Sequence, residues 1–242
     1  MQSGLYVGVS GQVAMKQRLD TLATNVANMS TPGYRSEEIR FESLLAAAGQ
    51  TQVNFVSTGD TFVSRRAGPL QKTGGPLEVA VAGDAWMAFD TPEGRAYTRD
   101  GRLQMGPNGV LTTLAGQSIL DAGGGPLTLD PQGPSPSITR DGMISQGDRQ
   151  VGAIGLFRLD ENARIVRIDG SAVMSDAPAQ PVLDFTKNGV AQGFLEGSNV
   201  NPILEMARLI AVQRLFESMS STVETQEATM TDAIKTLGSS TG

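Results

Sequence analysis

Histidine and cysteine are both absent from the 242 residues. Without them the chain has no thiolate nucleophile, Ser-His-Asp triad, zinc finger or cysteine-ligated iron–sulfur site. The lack of cysteine leaves the redox compartment open, because a protein bound for an oxidising space can avoid disulfides altogether. Aromatic residues are scarce at 5%, which argues against a large aromatic-rich core. Positive charge is in deficit, with a net charge of -6; a main partner of nucleic acid would need a basic face. No apolar run approaches the roughly 20 residues needed to span a bilayer. The opening MQSGLYVGVSGQVAM has no basic n-region and meets its first cation at Lys16. A cleaved signal peptide is therefore not expected, and any exit from the cytosol needs another route.

Proline is missing from both ends: all 12 lie between Pro32 and Pro202. Each end instead carries a helix-period pattern. From about Ser3 to about Met29, Leu5, Val9, Gln12, Met15, Leu19, Leu22 and Val26 form one stripe interrupted by Gln12. Gly4, Gly8 and Gly11 each cost about 1 kcal/mol relative to alanine, so the helix is expected to be firm only beyond Gly11. Thr31-Pro32-Gly33 should end it, since proline disfavours the α conformation of its predecessor and glycine permits a left-handed turn.

At the other end Leu209, Val212, Phe216, Met219, Val223, Gln226, Met230, Ala233 and Leu237 alternate spacings of three and four, a heptad seam. Asn201 is an N-cap candidate, Pro202 suits the first helical position and Glu205 places a carboxylate near the positive end of the dipole. The stretch up to Gly238 makes a rod of roughly 50 to 55 Å. A second row, Ile203, Ala207, Ile210 and Leu215, widens the apolar stripe beyond what one short partner helix can cover. The N-terminal stretch is net positive and the C-terminal one net negative, a difference that steers and sets register more than it stabilises.

Between the ends, short apolar runs such as LEVAVAG, WMAFD, VLTTLAG, AIGLFRLD and ARIVRID are cut by Gly, Pro, Asn-Gly and Asp-Gly. This is the pattern of an all-β domain of hairpins. The expected fold is mixed but mainly β, with a central hairpin domain flanked by N- and C-terminal α-helices. The expected organisation is an N-terminal helix at 1–35, an extended connector at 36–73, an all-β middle domain at 74–197 and a C-terminal helix at 198–242. Within the connector, SEEIRFESLLAAAG has the composition for a helical turn or two. Asp100-Gly101, Asn108-Gly109 and Asp141-Gly142 stand where tight turns would reverse strands. Thr-Arg-Asp-Gly occurs twice, at Thr98–Gly101 and Thr139–Gly142, which fits an internal duplication or, better, one favourable turn used in two hairpins.

No constellation for catalysis emerges. Glu37-Glu38, Asp160-Glu161 and Asp84 sit in polar turns or at element starts, with nothing to bring two carboxylates to one cleft as a glycosidase requires. DPQGPSPS and LDENAR lack the acidic spacing and terminal glutamate of a calcium loop, and Gly123-Gly-Gly leads to Pro126 instead of a phosphate-binding Gly-Lys-Ser/Thr. No catalytic, cofactor-binding or metal residue is assigned, no cofactor is expected and the chain does not read as an enzyme.

Leu19-Asp-Thr-Leu-Ala-Thr-Asn-Val-Ala-Asn-Met-Ser-Thr-Pro-Gly-Tyr-Arg closely resembles the N-terminal signature of flagellar rod and hook proteins. Asn25 and Asn28 match its paired asparagines, and Thr31, Gly33 and Tyr34 its turn. Leu77 to Asp90 with Tyr97-Thr-Arg-Asp-Gly101 resembles the family's core segment, and Glu196-Gly-Ser-Asn-Val-Asn-Pro with Gln213-Arg214-Leu-Phe-Glu217 its C-terminal block. Asp84-Ala-Trp-Met-Ala departs from the Gly-Phe-Phe more usual after that aspartate. Length and ends are most similar to a proximal-rod subunit, with a distal-rod subunit next and the longer hook protein further off.

The resemblance implies a structural subunit that leaves through the flagellar type III export apparatus without a cleaved signal. It would then stack in the periplasm with itself and with other subunits of the proximal and distal rod. In such proteins the terminal helices form an inner tube of coiled coils with the β domain outside. The expected assembly residues are Leu19, Leu22, Val26, Leu209, Val212, Phe216, Met219 and Val223 as packing positions, with Asn25 and Asn28 as polar specificity positions. The tails are expected to gain their order on assembly, because a lone amphipathic helix gains too little to offset its ordering entropy. A competing class is a secreted cell-wall or carbohydrate-binding β domain oligomerised by its helices, which would need an exposed aromatic platform.

Overall fold

The computed structural model of the chain describes residues 2–40, 43–48, 51–56 and 60–239. Residues 41–42, 49–50 and 57–59 of the expected connector, and the side chains of Leu5, Met230, Ala233 and Leu237 in the two stripes, lie outside the described residues. The chain forms two compact units: Met1–Ala27, Glu37–Phe62 and Asn201–Gly242 make the first, Asn28–Ser36 and Val63–Val200 the second.

The first unit holds α1 (Gln2–Ala27), β1 (Glu37–Arg40), β2 (Ser43–Ala48), β3 (Thr51–Val56), β4 (Asp60–Val63) and α2 (Pro202–Ser239). β2 pairs antiparallel with β3 from Ser43↔Val56 to Ala48↔Thr51, and β1 lies beside β4. Ser43–Ala48, where sequence allowed a helical turn, is thus strand: ladder pairing outweighs the helix propensity of three alanines. α2 starts as its sequence dictates, with the Asn201 side-chain oxygen accepting from the Leu204 N–H at 3.2 Å and the Asn201 carbonyl from the Glu205 N–H at 2.9 Å. Its 38 residues extend about 57 Å. Among the described residues no helix is long and apolar enough to cross a membrane.

The second unit is all β. Its strands are β5 (Leu70–Lys72), β6 (Val79–Ala82), β7 (Ala85–Thr91), β8 (Gly94–Thr98), β9 (Leu103–Met105), β10 (Leu111–Thr113), β11 (Ser137–Ile138) and β12 (Met143–Gln146). β13 (Arg149–Ala153), β14 (Leu156–Arg158), β15 (Ile165–Asp169), β16 (Ala172–Ser175), β17 (Gln180–Pro181), β18 (Gly189–Gln192) and β19 (Phe194–Glu196) complete it. The largest sheet runs β15-β16-β8-β7-β14-β17; β11-β12-β13 forms another, and β9/β10, β6/β18 and β5/β19 are paired ribbons.

β7 explains the apolar run Ala85–Phe89, for both of its faces are covered. Ala85, Met87 and Phe89 enter one core with Val79, Leu111, Ile119, Ile144 and Leu156, while Trp86 and Ala88 enter a second with Tyr97, Leu120, Phe157 and Leu159. A strand buried on both sides reads as continuous, not alternating, hydrophobicity. Asn108-Gly109 and Asp141-Gly142 turn β9 into β10 and β11 into β12, each with glycine at positive φ. Asp100-Gly101 does not reverse a strand: there the chain leaves β8 for β9 in a different ribbon, and Gly101 lies against Val79, whose N–H donates to the Gly101 carbonyl at 3.0 Å.

Candidate assembly surface and its buried knot

Three segments far apart in sequence meet inside the second unit. Arg35, Arg99 and Glu196 are each only 1% exposed. Arg99 Nε donates to Glu196 Oε2 at 2.7 Å, and its other nitrogens donate to the carbonyls of Val81 (2.7 Å) and Gly83 (2.9 Å). Arg35 Nη2 stands 2.7 Å from Glu196 Oε1 as an ion pair without hydrogen-bond alignment, and its Nη1 donates to the Arg65 carbonyl. Gly68 N–H donates to Glu196 Oε1 at 3.0 Å, and Gly33 N–H to the Glu196 carbonyl at 2.7 Å. The Trp86 ring faces both guanidiniums, 5.7 Å from Arg35 and 5.6 Å from Arg99. Trp86 is therefore a platform for two cations.

Asn199 closes the same knot. Its side-chain oxygen accepts from Ser36 N–H at 2.7 Å, its amide donates to the Arg66 carbonyl at 2.8 Å and its backbone N–H to the Tyr34 carbonyl at 3.2 Å. Arg167 lies 4.1 Å from the Tyr34 ring centroid and donates to the Arg35 carbonyl. Two glycines are needed for this closeness. A Cβ on Gly33, at φ 70°, would lie 2.3 Å from the Arg99 carbonyl carbon, and one on Gly68 1.9 Å from the Gly197 oxygen.

Two cations share one carboxylate here, and burial sets the electrostatics. Desolvation first, and then the facing Arg99, push Arg35 down to about 10 against the pull of Glu196. Burial likewise lowers Arg99, with Glu196 opposing. Both stay cationic at neutral pH, so removing Glu196 would leave uncompensated charge, which costs about 3–5 kcal/mol.

In the first unit the helices run antiparallel and cover each other's seams. Gln12 Nε2 donates to Ser220 Oγ at 3.2 Å, which accounts for the polar interruption in the N-terminal stripe. A Cβ on Gly11 would lie 2.4 Å from Met219 Cε, and one on Gly8 3.0 Å from Val223 Cγ2. The glycines expected to weaken the start of α1 let α2 approach, and α1 is continuous from Gln2. Leu22, Val212 and Val223 are buried, and Leu19, Val26, Leu209, Phe216 and Met219 half-buried. Within one chain, α1 covers part of the α2 seam. Glu205, also buried, heads the seam one turn before Leu209 and pairs with Arg208 at 2.8 Å.

The paired asparagines serve local structure. Asn25, 2% exposed, binds Glu37 in both directions: its amide donates to the Glu37 carbonyl at 2.9 Å and its oxygen accepts from the Glu37 N–H at 2.8 Å. It thereby extends the β1 hydrogen-bond pattern onto the end of α1. Asn28 accepts from the Thr31 hydroxyl at 3.1 Å and its carbonyl from the Thr31 N–H, which shapes the turn before Gly33.

On α2 the second apolar row stays open. Ile203 is 80% exposed, Ile210 53% and Leu215 54%. In the second unit the aromatics that a carbohydrate platform would need, Trp86, Tyr97 and Phe157, are all buried. Sequence reasoning missed the Arg35–Glu196–Arg99 knot. Its only signal was that each residue stands inside one of the three family-like motifs.

A helix pair in the first unit and, in the second, the signature turn, the Tyr-Thr-Arg-Asp-Gly segment and the Glu-Gly-Ser-Asn-Val-Asn segment knotted together mark the class of flagellar axial proteins. Three family models match in chain order: flagella basal body rod protein over residues 5–35, flagellar hook protein FlgE/F/G D1 domain over 80–146, and flagellar basal body rod FlgEFG protein C-terminal over 191–236. The chain is 46% identical over 239 residues to the flagellar basal-body rod protein FlgF of Mesorhizobium japonicum, covering 99% of both chains. It is 43% identical to that of Rhizobium meliloti over 99% of this chain and 100% of the relative, and 37% identical to that of Caulobacter vibrioides over 98% and 99%. The chain belongs to the flagellar basal-body rod protein FlgF family. It is a structural subunit of the flagellar basal-body rod, not an enzyme.

Proposed function

We propose that the chain is a proximal-rod subunit that transmits motor torque toward the hook through its terminal helices. On assembly α1 and α2 join those of neighbouring rod subunits, proximal, distal and copies of itself, in a coiled-coil inner tube. The subunit reaches the rod through the type III export apparatus without a cleaved signal peptide, and the rod it joins crosses the periplasm. The observation that carries this reading is the open row Ile203, Ile210 and Leu215 on a helix whose other face α1 already covers. An exposed apolar strip of this kind marks an interaction surface. Leu19, Leu22, Val26, Leu209, Val212, Phe216, Met219 and Val223 build the helix pair that presents it, and Asn25 and Asn28 fix where α1 ends.

Ile210→Asp tests the reading: the purified chain should keep wild-type helix content by circular dichroism, while cells producing it lose swimming and the chain is missing from isolated basal bodies. Normal swimming with the variant incorporated would remove the row from the assembly surface.

A further inference from the structure

Asn-Gly occurs twice in the chain, at Asn108-Gly109 and Asn188-Gly189, each followed by valine. Glycine puts no side chain beside its own backbone nitrogen, so the local sequence leaves both asparagine carboxamides equally open to attack by that nitrogen. The fold treats the two pairs differently. Asn108 is the third residue of the Gly106–Gly109 turn, behind Pro107, and is exposed. Its carboxamide makes no hydrogen bond among the described residues. The Gly109 nitrogen is held by the turn's own bond, its N–H donating to the Gly106 carbonyl at 2.9 Å.

Asn188 is fixed on both sides. Its carboxamide oxygen accepts from the Asp84 N–H at 3.0 Å. Gly189 opens β18 opposite Ala82, and the next N–H, that of Val190, donates to the Arg140 carbonyl at 2.8 Å. A Cβ on Gly189 would lie 2.7 Å from that same carbonyl oxygen, so the backbone there has little room to rotate. Bringing the Gly189 nitrogen onto the Asn188 carboxamide requires β18 to come away from β6. At Asn108 it requires one exposed turn to open, and local opening of this kind is the less costly event.

We propose that Asn108 is a site of spontaneous deamidation in the folded chain, and that the fold shields Asn188 from the same reaction. Hydroxide takes the Gly109 N–H proton and the nitrogen bonds to Asn108 Cγ. The carboxamide nitrogen regains a proton from water and leaves as ammonia, which closes a cyclic imide. Water then opens the ring. Attack at the side-chain carbonyl gives aspartate; attack at the backbone carbonyl gives isoaspartate, with one extra methylene in the main chain. The site beside it is tight, for the Leu129 N–H donates to the Gly109 carbonyl at 2.8 Å and a Cβ on Gly109 would lie 2.1 Å from the Leu129 oxygen. The lengthened backbone of isoaspartate therefore loosens the β9–β10 turn from Leu129, a member of the larger core.

The purified full chain, aged at neutral and at mildly alkaline pH and then digested, tests this by peptide mass spectrometry. Isoaspartate is counted by methyl transfer from a protein isoaspartyl methyltransferase. In the folded chain the Asn108 peptide should convert roughly ten-fold faster than the Asn188 peptide, and faster still at alkaline pH. In urea that unfolds the chain the two rates should come together. Equal rates in the folded chain, or Asn188 ahead, would overturn the shielding, and a rate at Asn108 no higher than at Asn162-Ala163 would overturn the site. A gap as wide in urea as in the folded chain would assign the difference to local sequence and overturn the structural cause. The isoaspartate-bearing fraction should also melt below both the fresh chain and Asn108→Asp; melting together with Asn108→Asp would remove the effect on Leu129.

Discussion

Thr98–Gly101 and Thr139–Gly142 are the same four residues in the same unit, yet they do opposite things. In both, the aspartate side chain accepts from the backbone N–H two residues on, Arg102 at 3.1 Å and Met143 at 3.3 Å. There the likeness ends. Arg99 is buried against Glu196 and two carbonyls, whereas Arg140 is exposed and donates to the Thr186 carbonyl at 2.7 Å. Gly101 leaves no room for a side chain, since a Cβ would sit 1.5 Å from the Val79 oxygen; Gly142 is instead required by its φ of 84°. A tetrapeptide specifies its own turn, and its surroundings decide whether that turn anchors a fold.

The widest gap should come from the two arginines. Arg99→Ala leaves Glu196 short of a buried partner and should destabilise by about 3–5 kcal/mol, while Arg140→Ala should stay within about 0.5 kcal/mol; urea unfolding of the full chain measures both. Equal losses would mean the buried pair adds nothing. The glycines come next: Gly101→Ala forces backbone apart and should cost about 3 kcal/mol, against about 1–2 kcal/mol for Gly142→Ala through its left-handed conformation. Equal melting shifts for the two would refute the different reasons given for each glycine.

The smallest effect concerns Asp141. The Thr139 hydroxyl first, and then the Met143 N–H, hold its carboxyl below the ordinary aspartate value. Its favourable contribution is therefore complete above that ordinary value and lost as pH falls through the lowered one. Thr139→Val should raise the Asp141 titration midpoint in a carboxyl-carbon NMR titration; an unmoved midpoint would show that the hydroxyl bond is not the cause.

Much of the helical part was legible because its causes are local. Asn201, Pro202 and Glu205 act within one turn, and the spacing Leu209–Val212–Phe216–Met219–Val223 names a buried stripe whatever covers it. That Gly8 and Gly11 also let α2 approach was not legible, because this use depends on Met219 and Val223, more than 200 residues away. Asn25 and Asn28 stood out as paired polar positions, but their partners, Glu37 and Thr31, are set by the path of the chain after α1.

By itself, the sequence determined what neighbouring residues can settle: where α1 stops, how α2 is capped, which faces are apolar, that Asn108-Gly109 and Asp141-Gly142 turn, and, through His and Cys being absent, which chemistries are closed. Tertiary structure alone decided which of two identical Thr-Arg-Asp-Gly turns buries its arginine, and that Glu196 serves both Arg35 and Arg99. The physical reason is desolvation. Whether a charge or an apolar side chain is stabilising depends on what excludes water around it, and in this chain those surroundings come from segments that only the folded sheet order brings together.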